Sequence, residues 1–115
     1  MASTRVAVVG VGALGEHHSR IYAELPEAEL VSVVDIDEER LHPLGQRYQC
    51  EIFRNYEDIL GSVQAISLAV PTQQHAQIGV EFLKRGTHVL VEKPIAPNLQ
   101  GADALIKAQE QGGAI

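Results

Sequence analysis

Three glycines near the start of the chain have the spacing of a phosphate-binding loop. Gly10, Gly12 and Gly15 form G-x-G-x-x-G directly after the apolar run Arg5–Val9 and before a segment of helical spacing. In this pattern the first glycine permits a tight turn, the second lets the backbone approach a pyrophosphate, and the third lets the helix pack on the strand. Backbone N–H groups at the positive end of the helix dipole then face the phosphates. The loop residues that we expect to contact a dinucleotide are Gly10, Gly12, Ala13, Leu14 and Gly15.

An acidic residue at the end of the next strand is the second requirement, and Asp35 meets it. Asp35 lies 20 residues beyond Gly15, where its carboxylate can accept hydrogen bonds from the ribose hydroxyls of an adenosine. The same charge would repel a 2′-phosphate, and Ile36 and Asp37 follow it in place of the Arg or Ser that NADP sites favour. Arg40 is the nearest cation, and we expect it to be solvated or paired with a Glu of its own helix. Asp35 and Ile36 are therefore predicted cofactor contacts, and NAD is favoured over NADP.

Two more stretches place candidate chemistry at strand ends. They are AVPTQQH, residues 69–75, and VLVEKPIAPN, residues 89–98. A Glu-Lys-Pro sequence that leaves a buried strand is unusual, because lysine is seldom placed there without a partner. Pro94 makes the exit stiff, since its ring fixes φ. Lys93 is thus a candidate functional residue, although a solvated lysine at the strand end explains the sequence equally well.

Short apolar, β-branched runs alternate with segments of helical spacing along the chain. The runs are too short for typical helices and lack the alternation of a half-solvated strand, so they predict strands covered on both faces. They are Arg5–Val9, Glu29–Asp35, Ala65–Val70 and His88–Glu92, with a weaker candidate at Glu51–Arg54. This alternation predicts an α/β fold: a Rossmann doubly wound parallel sheet with right-handed crossovers and helices on both faces.

Start and stop signals bound the predicted helices. The helices extend from Leu14 to the stop at Pro26, from the cap Asp37 to about Tyr48, from the cap Thr72 to Gly86, and from Asn98 to Gly112-Gly113. Pro43 should kink or shorten the second of them. Asn55 precedes a short turn through Leu60.

The whole chain, residues 1–115, is predicted to be one dinucleotide-binding Rossmann domain. The final Ala114-Ile115 resembles the first step of a sixth strand. We therefore expect an excised domain of a longer protein, truncated before the last strand and a C-terminal substrate domain.

Taken together, the motifs resemble the glucose–fructose oxidoreductase / inositol dehydrogenase (Gfo/Idh/MocA) family. The joint pattern is G-x-G-x-x-G, Asp after the second strand, P-T-x-x-H after the fourth and E-K-P after the fifth. The stretches YAELPEAELVSVVDID and HVLVEKPIA are similar to members that act on nucleotide-linked sugars. The resemblance implies cofactor contacts at the ends of the fourth and fifth strands, through Val70, Pro71, Thr72, His75, Glu92 and Lys93. His75 could equally be a surface histidine that caps a helix.

The resemblance also makes Lys93 the catalytic residue beside the nicotinamide. A lysine whose pKa is lowered by the cationic ring and by partial burial could hydrogen-bond the reacting hydroxyl or relay its proton. Family enzymes complete the site with a second domain, which we do not expect within these 115 residues. The isolated chain should therefore bind NAD and turn over little, while the parent transfers a hydride between nicotinamide and a sugar, polyol or nucleotide-sugar hydroxyl carbon.

Two other hypotheses compete with the dehydrogenase. One is a nucleotide-sensing regulatory Rossmann module without catalysis, which would need no Glu-Lys-Pro after the fifth strand. The other is a family member that has lost activity and serves as a scaffold. The small-molecule substrate is expected in the full-length protein, and an oligomer only with the missing domain.

Composition excludes several other classes of partner. The 115 residues carry a net charge of −6, which leaves no basic patch for nucleic acid or anionic lipid. No apolar stretch approaches the roughly 20 residues that span a bilayer. Cys50 is the single cysteine, so no internal disulfide can form and an oxidising compartment is not indicated. The apolar N-terminal run contains several glycines and makes a poor secretion signal, so a cytoplasmic location is expected. No metal is expected, because the adjacent His17 and His18 diverge on a helix and no carboxylate or thiol cluster completes a site.

Overall fold

A computed structural model describes residues 4–91 and 99–113 of the chain. Five strands and four α-helices alternate along these residues: β1 (Thr4–Val9), α1 (Ala13–Glu24), β2 (Ala28–Val34), α2 (Glu38–Tyr48), β3 (Glu51–Phe53), β4 (Ala65–Leu68), α3 (His75–Lys84), β5 (His88–Val91) and α4 (Leu99–Gly112). Short 3-10 turns at Tyr56–Ile59 and Thr72–Gln74 precede β4 and α3. All five strand candidates are present, including the weak third strand.

The strands form one parallel sheet in the order β3-β2-β1-β4-β5. In the centre, Val9 of β1 is level with Val34 of β2 on one side and with Leu68 of β4 on the other. From β1 the chain winds outward through β2 and β3, and it then returns to build β4 and β5 on the opposite side. The strand order reverses between β1 and β4, and ligands of such sheets bind at the carboxyl ends beside that reversal. The predicted Rossmann α/β fold is confirmed.

Helices cover both faces of the central strands. On one face Val8 packs with Leu41 of α2, and on the other Val9 packs with Phe82 of α3. Leu41 and Phe82 are both fully buried, and burial of a side chain of this size stabilises the fold by about 1.5–3 kcal/mol. A further cluster joins α4 to α3 through Leu83, Leu105 and Ala108. Packing from two sides fixes the edge of the sheet that carries the glycine loop.

The fifth strand departs from the prediction that it is covered on both faces. Val89 and Val91 pack against the hydrophobic cluster beneath α3, whereas Leu90 is 55% exposed on the opposite face. β5 lies at the edge of the sheet, where it is paired with β4 alone among the described strands. The apolar run His88–Glu92 therefore predicts the strand correctly, but the prediction that both faces of this strand are covered is wrong.

α2 extends from Glu38 to Tyr48, so the predicted end near Tyr48 is confirmed and Pro43 does not shorten the helix. The leucines that flank the proline are buried, and their packing offsets the backbone hydrogen bond that proline cannot donate. α3 begins at His75 instead of directly after a Thr72 cap, because residues 72–74 form a 3-10 turn.

Candidate cofactor site

Gly10 makes the turn that leads from β1 into the glycine loop. Its φ is +93°, in the region that L side chains rarely adopt. A Cβ on Gly10 would lie only 2.7 Å from the carbonyl oxygen of Ala69. The Gly10 N–H donates to the carbonyl of Val34 over 2.7 Å, which ties the turn to the end of β2. Conformation and space therefore both require glycine here.

Gly15 is the point where α1 crosses closely over that turn. A Cβ on Gly15 would overlap the carbonyl oxygen of Gly10. Ser19, one turn further along α1 and fully buried, donates its hydroxyl to the Gly15 carbonyl over 2.8 Å. Gly15 thus serves helix–strand packing, the role that the G-x-G-x-x-G pattern gives to the third glycine.

Gly12 differs from the other two glycines because it borders open space. A Cβ at this position would meet only the Nη1 atom of Arg40 within 4 Å, at 3.6 Å. Gly12 is the N-cap residue of α1, and no side chain caps the helix. The first N–H groups of an α-helix have no partner within the helix, and they carry the positive end of its dipole. The loop therefore offers bare backbone donors to an anion.

Asp35 lies across from this loop, at the end of β2. Its side chain is only 9% exposed. Oδ2 accepts the Val11 N–H over 2.9 Å, and Oδ1 accepts the Asp37 N–H over 2.9 Å. The carboxylate thus joins the glycine loop to the loop after β2. Because an ionised carboxylate has about four acceptor positions, it can still accept hydrogen bonds from a sugar diol.

Arg40 is not placed as the sequence indicated. Instead of pairing with a Glu of its helix or being solvated alone, it lies near two aspartates. Its Nη1 is 3.9 Å from Asp35 Oδ2, and its Nε is 3.6 Å from Asp37 Oδ2. The side chain is 57% exposed and also reaches Gly12. Arg40 therefore belongs to the site, which the sequence analysis did not predict.

A cleft of about 700 Å³ opens at the carboxyl edge of the sheet, a volume typical of sites for small molecules and cofactors. Six predicted residues line it: Gly10, Gly12, Asp35, Ile36, Val70 and Pro71. Ile36 is 83% exposed, so it offers an apolar surface at the mouth of the cleft. The crevice is open and Asp35 faces it, as dinucleotide binding requires.

The remaining predicted residues have other positions. Ala13, Leu14 and Gly15 begin α1 and do not line the cleft; Leu14 is 42% exposed. His75 is 2% exposed and its Nε2 lies 3.0 Å from the Val70 carbonyl, so the surface alternative for this histidine is wrong. It supports the backbone of the loop after β4. The side chain of Thr72, and Glu92 and Lys93 as a whole, lie outside the described residues.

The structure adds cleft residues that the sequence analysis missed. They come from the end of β3 and from the start of α3: Arg54, Asn55, Tyr56, Gln74, Gln77 and Ile78. The rule that ligands bind beyond strand ends could have pointed to Asn55, which follows the short β3. Burial, with the negative charges of Glu81 and Glu57 beside it, raises the pKa of Tyr56.

Within residues 4–91 and 99–113, no group of three or more His, Cys, Asp or Glu is placed to hold a metal ion. No helix in the same part of the chain is long and apolar enough to cross a membrane.

The fold and the cleft together define a dinucleotide-binding Rossmann domain. Residues 4–115 match the model of the Gfo/Idh/MocA oxidoreductase family, described as an NAD-binding Rossmann fold. The chain belongs to this family. The resemblance indicated by the four motifs is confirmed.

Curated relatives include sugar and polyol dehydrogenases. The chain is 35% identical over 112 residues to UDP-N-acetylglucosamine 3-dehydrogenase of Acidithiobacillus ferrooxidans, a match that covers 96% of this chain and 35% of the relative. It is 34% identical over 111 residues to inositol 2-dehydrogenase of Rubrobacter xylanophilus, covering 94% of this chain and 32% of the relative. The chain thus spans about a third of the length of these relatives.

Solved structures show the same architecture. WlbA dehydrogenase from Bordetella pertussis, crystallised with NADH and UDP-GlcNAcA, superposes with a TM-score of 0.91 at 28% identity, covering 98% of this chain and 36% of that one. The Acidithiobacillus ferrooxidans enzyme GnnA gives a TM-score of 0.91 at 31% identity, covering all of this chain and 38% of its own.

Proposed function

We propose that this chain is the NAD-binding part of a dehydrogenase that oxidises or reduces a sugar, polyol or nucleotide-sugar at a hydroxyl carbon. The cleft between the glycine loop and the end of β2 would hold the dinucleotide. The family match favours this function over a regulatory module that senses nucleotide without catalysis.

One observation carries the proposal: Gly12, the N-cap residue of α1, and the acidic side chain of Asp35 line the same cleft. Gly12 leaves the start of α1 open to the cleft, and Asp35 lies across from it with its carboxylate already oriented by two backbone N–H groups. The first element suits a pyrophosphate and the second suits a ribose diol.

The charges around the cleft support NAD over NADP. Asp35 and Asp37 place two negative charges where the adenosine ribose would bind, and Arg40 is paired with both of them. Arg54, which also lines the cleft, is paired with Glu38. A 2′-phosphate would bring about two further negative charges next to the carboxylates of Asp35 and Asp37. The ribose of NAD brings none, and its hydroxyls can donate to Asp35.

The chemical step in this proposal depends on Lys93. Nicotinamide, when bound, accepts or returns the hydride. The hydroxyl proton needs a separate acceptor as the carbon–oxygen bond becomes a carbonyl, and Lys93 would bind that oxygen and relay the proton, a contribution of ~10²–10⁴-fold. Lys93 follows β5 by two residues, and the carboxyl ends of parallel strands meet at one edge of the sheet. Glu92 and Thr72 are proposed neighbours of the cofactor, and the buried His75 would act on it only through the Val70 backbone.

The substrate class is inferred from the relatives, which include enzymes named for UDP-N-acetylglucosamine and for inositol. A substrate pocket would be supplied by a further domain, since the relatives are about three times as long as this chain. Oligomer formation through that domain and a cytoplasmic location are further parts of the proposal.

The test is calorimetric titration of NADH into the wild-type chain and into Asp35→Asn. The amide keeps the shape of the side chain but replaces one acceptor oxygen with a donor group, so it also gives up the hydrogen bond from the Val11 or the Asp37 N–H. Loss of a hydrogen bond to a charged group costs about 1.5–3 kcal/mol, so NADH affinity should fall about 10- to 100-fold.

Asp58→Asn is the matched control, since it removes the same charge from an exposed position on the 3-10 turn after β3. It should bind NADH as the wild type does. Absence of NADH binding to the wild type at millimolar concentration, or equal affinities for Asp35→Asn and the wild type, would overturn the proposed function.

A further inference from the structure

Arg40 has a position that the binding of NAD alone does not explain. Its guanidinium spans the two loops that border the cleft, 3.9 Å from Asp35 Oδ2, 3.6 Å from Asp37 Oδ2, and 3.6 Å from the point where a Cβ on Gly12 would lie. The side chain is 57% exposed. An exposed cation beside the ribose-binding acid could bind a 2′-phosphate, because guanidinium binds phosphate oxygens well.

The two aspartates restrain Arg40 unequally. Asp35 is 9% exposed, and both of its oxygens already accept backbone N–H groups. Asp37 is 45% exposed, and its contact with the arginine Nε is the shorter one. Its other oxygen, Oδ1, accepts the Glu39 N–H over 3.0 Å and caps α2. The cap fixes the orientation of Asp37, so its Oδ2 is held toward Arg40.

From this arrangement we infer that Asp37 is a specificity-determining residue that acts through Arg40. By pairing with Nε, Asp37 positions the guanidinium against Asp35 and neutralises a charge that would otherwise attract a 2′-phosphate. Asp37 is thus a positioning residue, and Asp35 would be the one that touches the ribose. The inference rests on the proposed function, because it assigns a cofactor preference to the same cleft.

The test compares NADH and NADPH on a double-mutant cycle of Asp37→Asn and Arg40→Ala. Asparagine is as good an N-cap residue as aspartate, so Asp37→Asn keeps the helix cap and removes the charge. The ratio of the NADPH to the NADH dissociation constant should fall about fivefold in Asp37→Asn, the size expected for an exposed ion pair. The same substitution in the Arg40→Ala background should lower the ratio clearly less, because only the direct repulsion between Asp37 and the 2′-phosphate is then removed.

Glu39→Gln is the matched control. It removes one negative charge from the same turn of α2, and the ion pairs of Arg40 among the described residues involve Asp35 and Asp37 only. It should not alter the ratio. If Asp37 had only a structural role, its substitution would weaken the binding of NADH and of NADPH equally, and the ratio of the two dissociation constants would stay constant. The fall in the ratio in Asp37→Asn should also be smaller at high salt than at low salt, since the charges of Asp37 and Arg40 are solvent-exposed.

Three results would overturn the inference: an unchanged ratio in Asp37→Asn, an equal fall in the Arg40→Ala background, or an equal fall in Glu39→Gln. In each of them NADH still binds, so the proposed function stands. Failure of the wild type to bind either dinucleotide overturns the proposed function instead.

Discussion

Gly15→Ala should lower the stability of the fold, whereas Gly12→Ala should lower the affinity for NADH, although the two substitutions are chemically identical. At Gly15 the new methyl group would overlap the Gly10 carbonyl oxygen, so either α1 or the turn after β1 must move. At Gly12 the methyl group would meet only the end of the Arg40 side chain, at 3.6 Å. The backbone of Gly12, with φ −67° and ψ −163°, is one that alanine adopts without strain.

The expected magnitudes follow from these surroundings. Overpacking costs about 1–3 kcal/mol where side chains can adjust, and at Gly15 the obstacle is backbone, so we expect about 3 kcal/mol or more. Each kcal/mol lowers the melting temperature of a domain of this size by roughly 4–8 °C, which predicts a fall of more than 10 °C. At Gly12, alanine is a poorer N-cap residue than glycine but restricts the unfolded chain more, so the free energy of unfolding should stay within about 1 kcal/mol of the wild type.

NADH affinity should be affected more by Gly12→Ala than by Gly15→Ala. The Gly12 methyl group occupies the space through which a pyrophosphate would approach the loop, so NADH affinity should fall about 10- to 100-fold, the loss of one or two hydrogen bonds to a charged group. Urea unfolding measures stability, and calorimetric titration of NADH measures affinity. Wild-type stability in Gly15→Ala would refute the close helix–strand crossing. Wild-type NADH affinity in Gly12→Ala would refute backbone contact with the pyrophosphate at this residue.

Two further predictions concern the fold outside the cleft. Tyr22→Phe removes a hydroxyl that lies 2.6 Å from the buried Ser67 Oγ. Urea unfolding should show a free energy of unfolding that is lower by about 1 kcal/mol. If the costs of Tyr22→Phe and Ser67→Ala simply add in the double variant, the hydrogen bond between the two hydroxyls is contradicted. Burial raises the pKa of the Cys50 thiol, so at pH 8 the folded protein should react with a maleimide more slowly than the urea-unfolded chain. Stability should also decline as the pH rises through the ordinary thiol pKa toward the higher folded value, because the unfolded chain loses this proton first; equal labelling rates would contradict both statements.

The sequence by itself determined the sheet and the glycine loop. Uninterrupted valine-rich runs such as Arg5–Val9 can be buried on two faces only in a parallel sheet between helices, and the alternation with helical segments left few topologies open. The glycines have an equally local cause, since a positive φ at Gly10 and a close crossing at Gly15 are demands that other residues meet poorly. Asp35 was predictable because its distance from the loop follows from the length of one helix and one strand.

Only the tertiary structure decided which charges and which surfaces share the cleft. The contacts that place Arg40 between Asp35 and Asp37 depend on rotamers and on the crossing of α2 over the sheet, so helical spacing alone suggested a different partner. His75 is buried because its ring lies against the Val70 carbonyl. Leu90 is exposed because β5 forms the edge of the described sheet. Local sequence encodes the conformation of a segment, whereas burial and ion pairing are properties of what other segments bring to it.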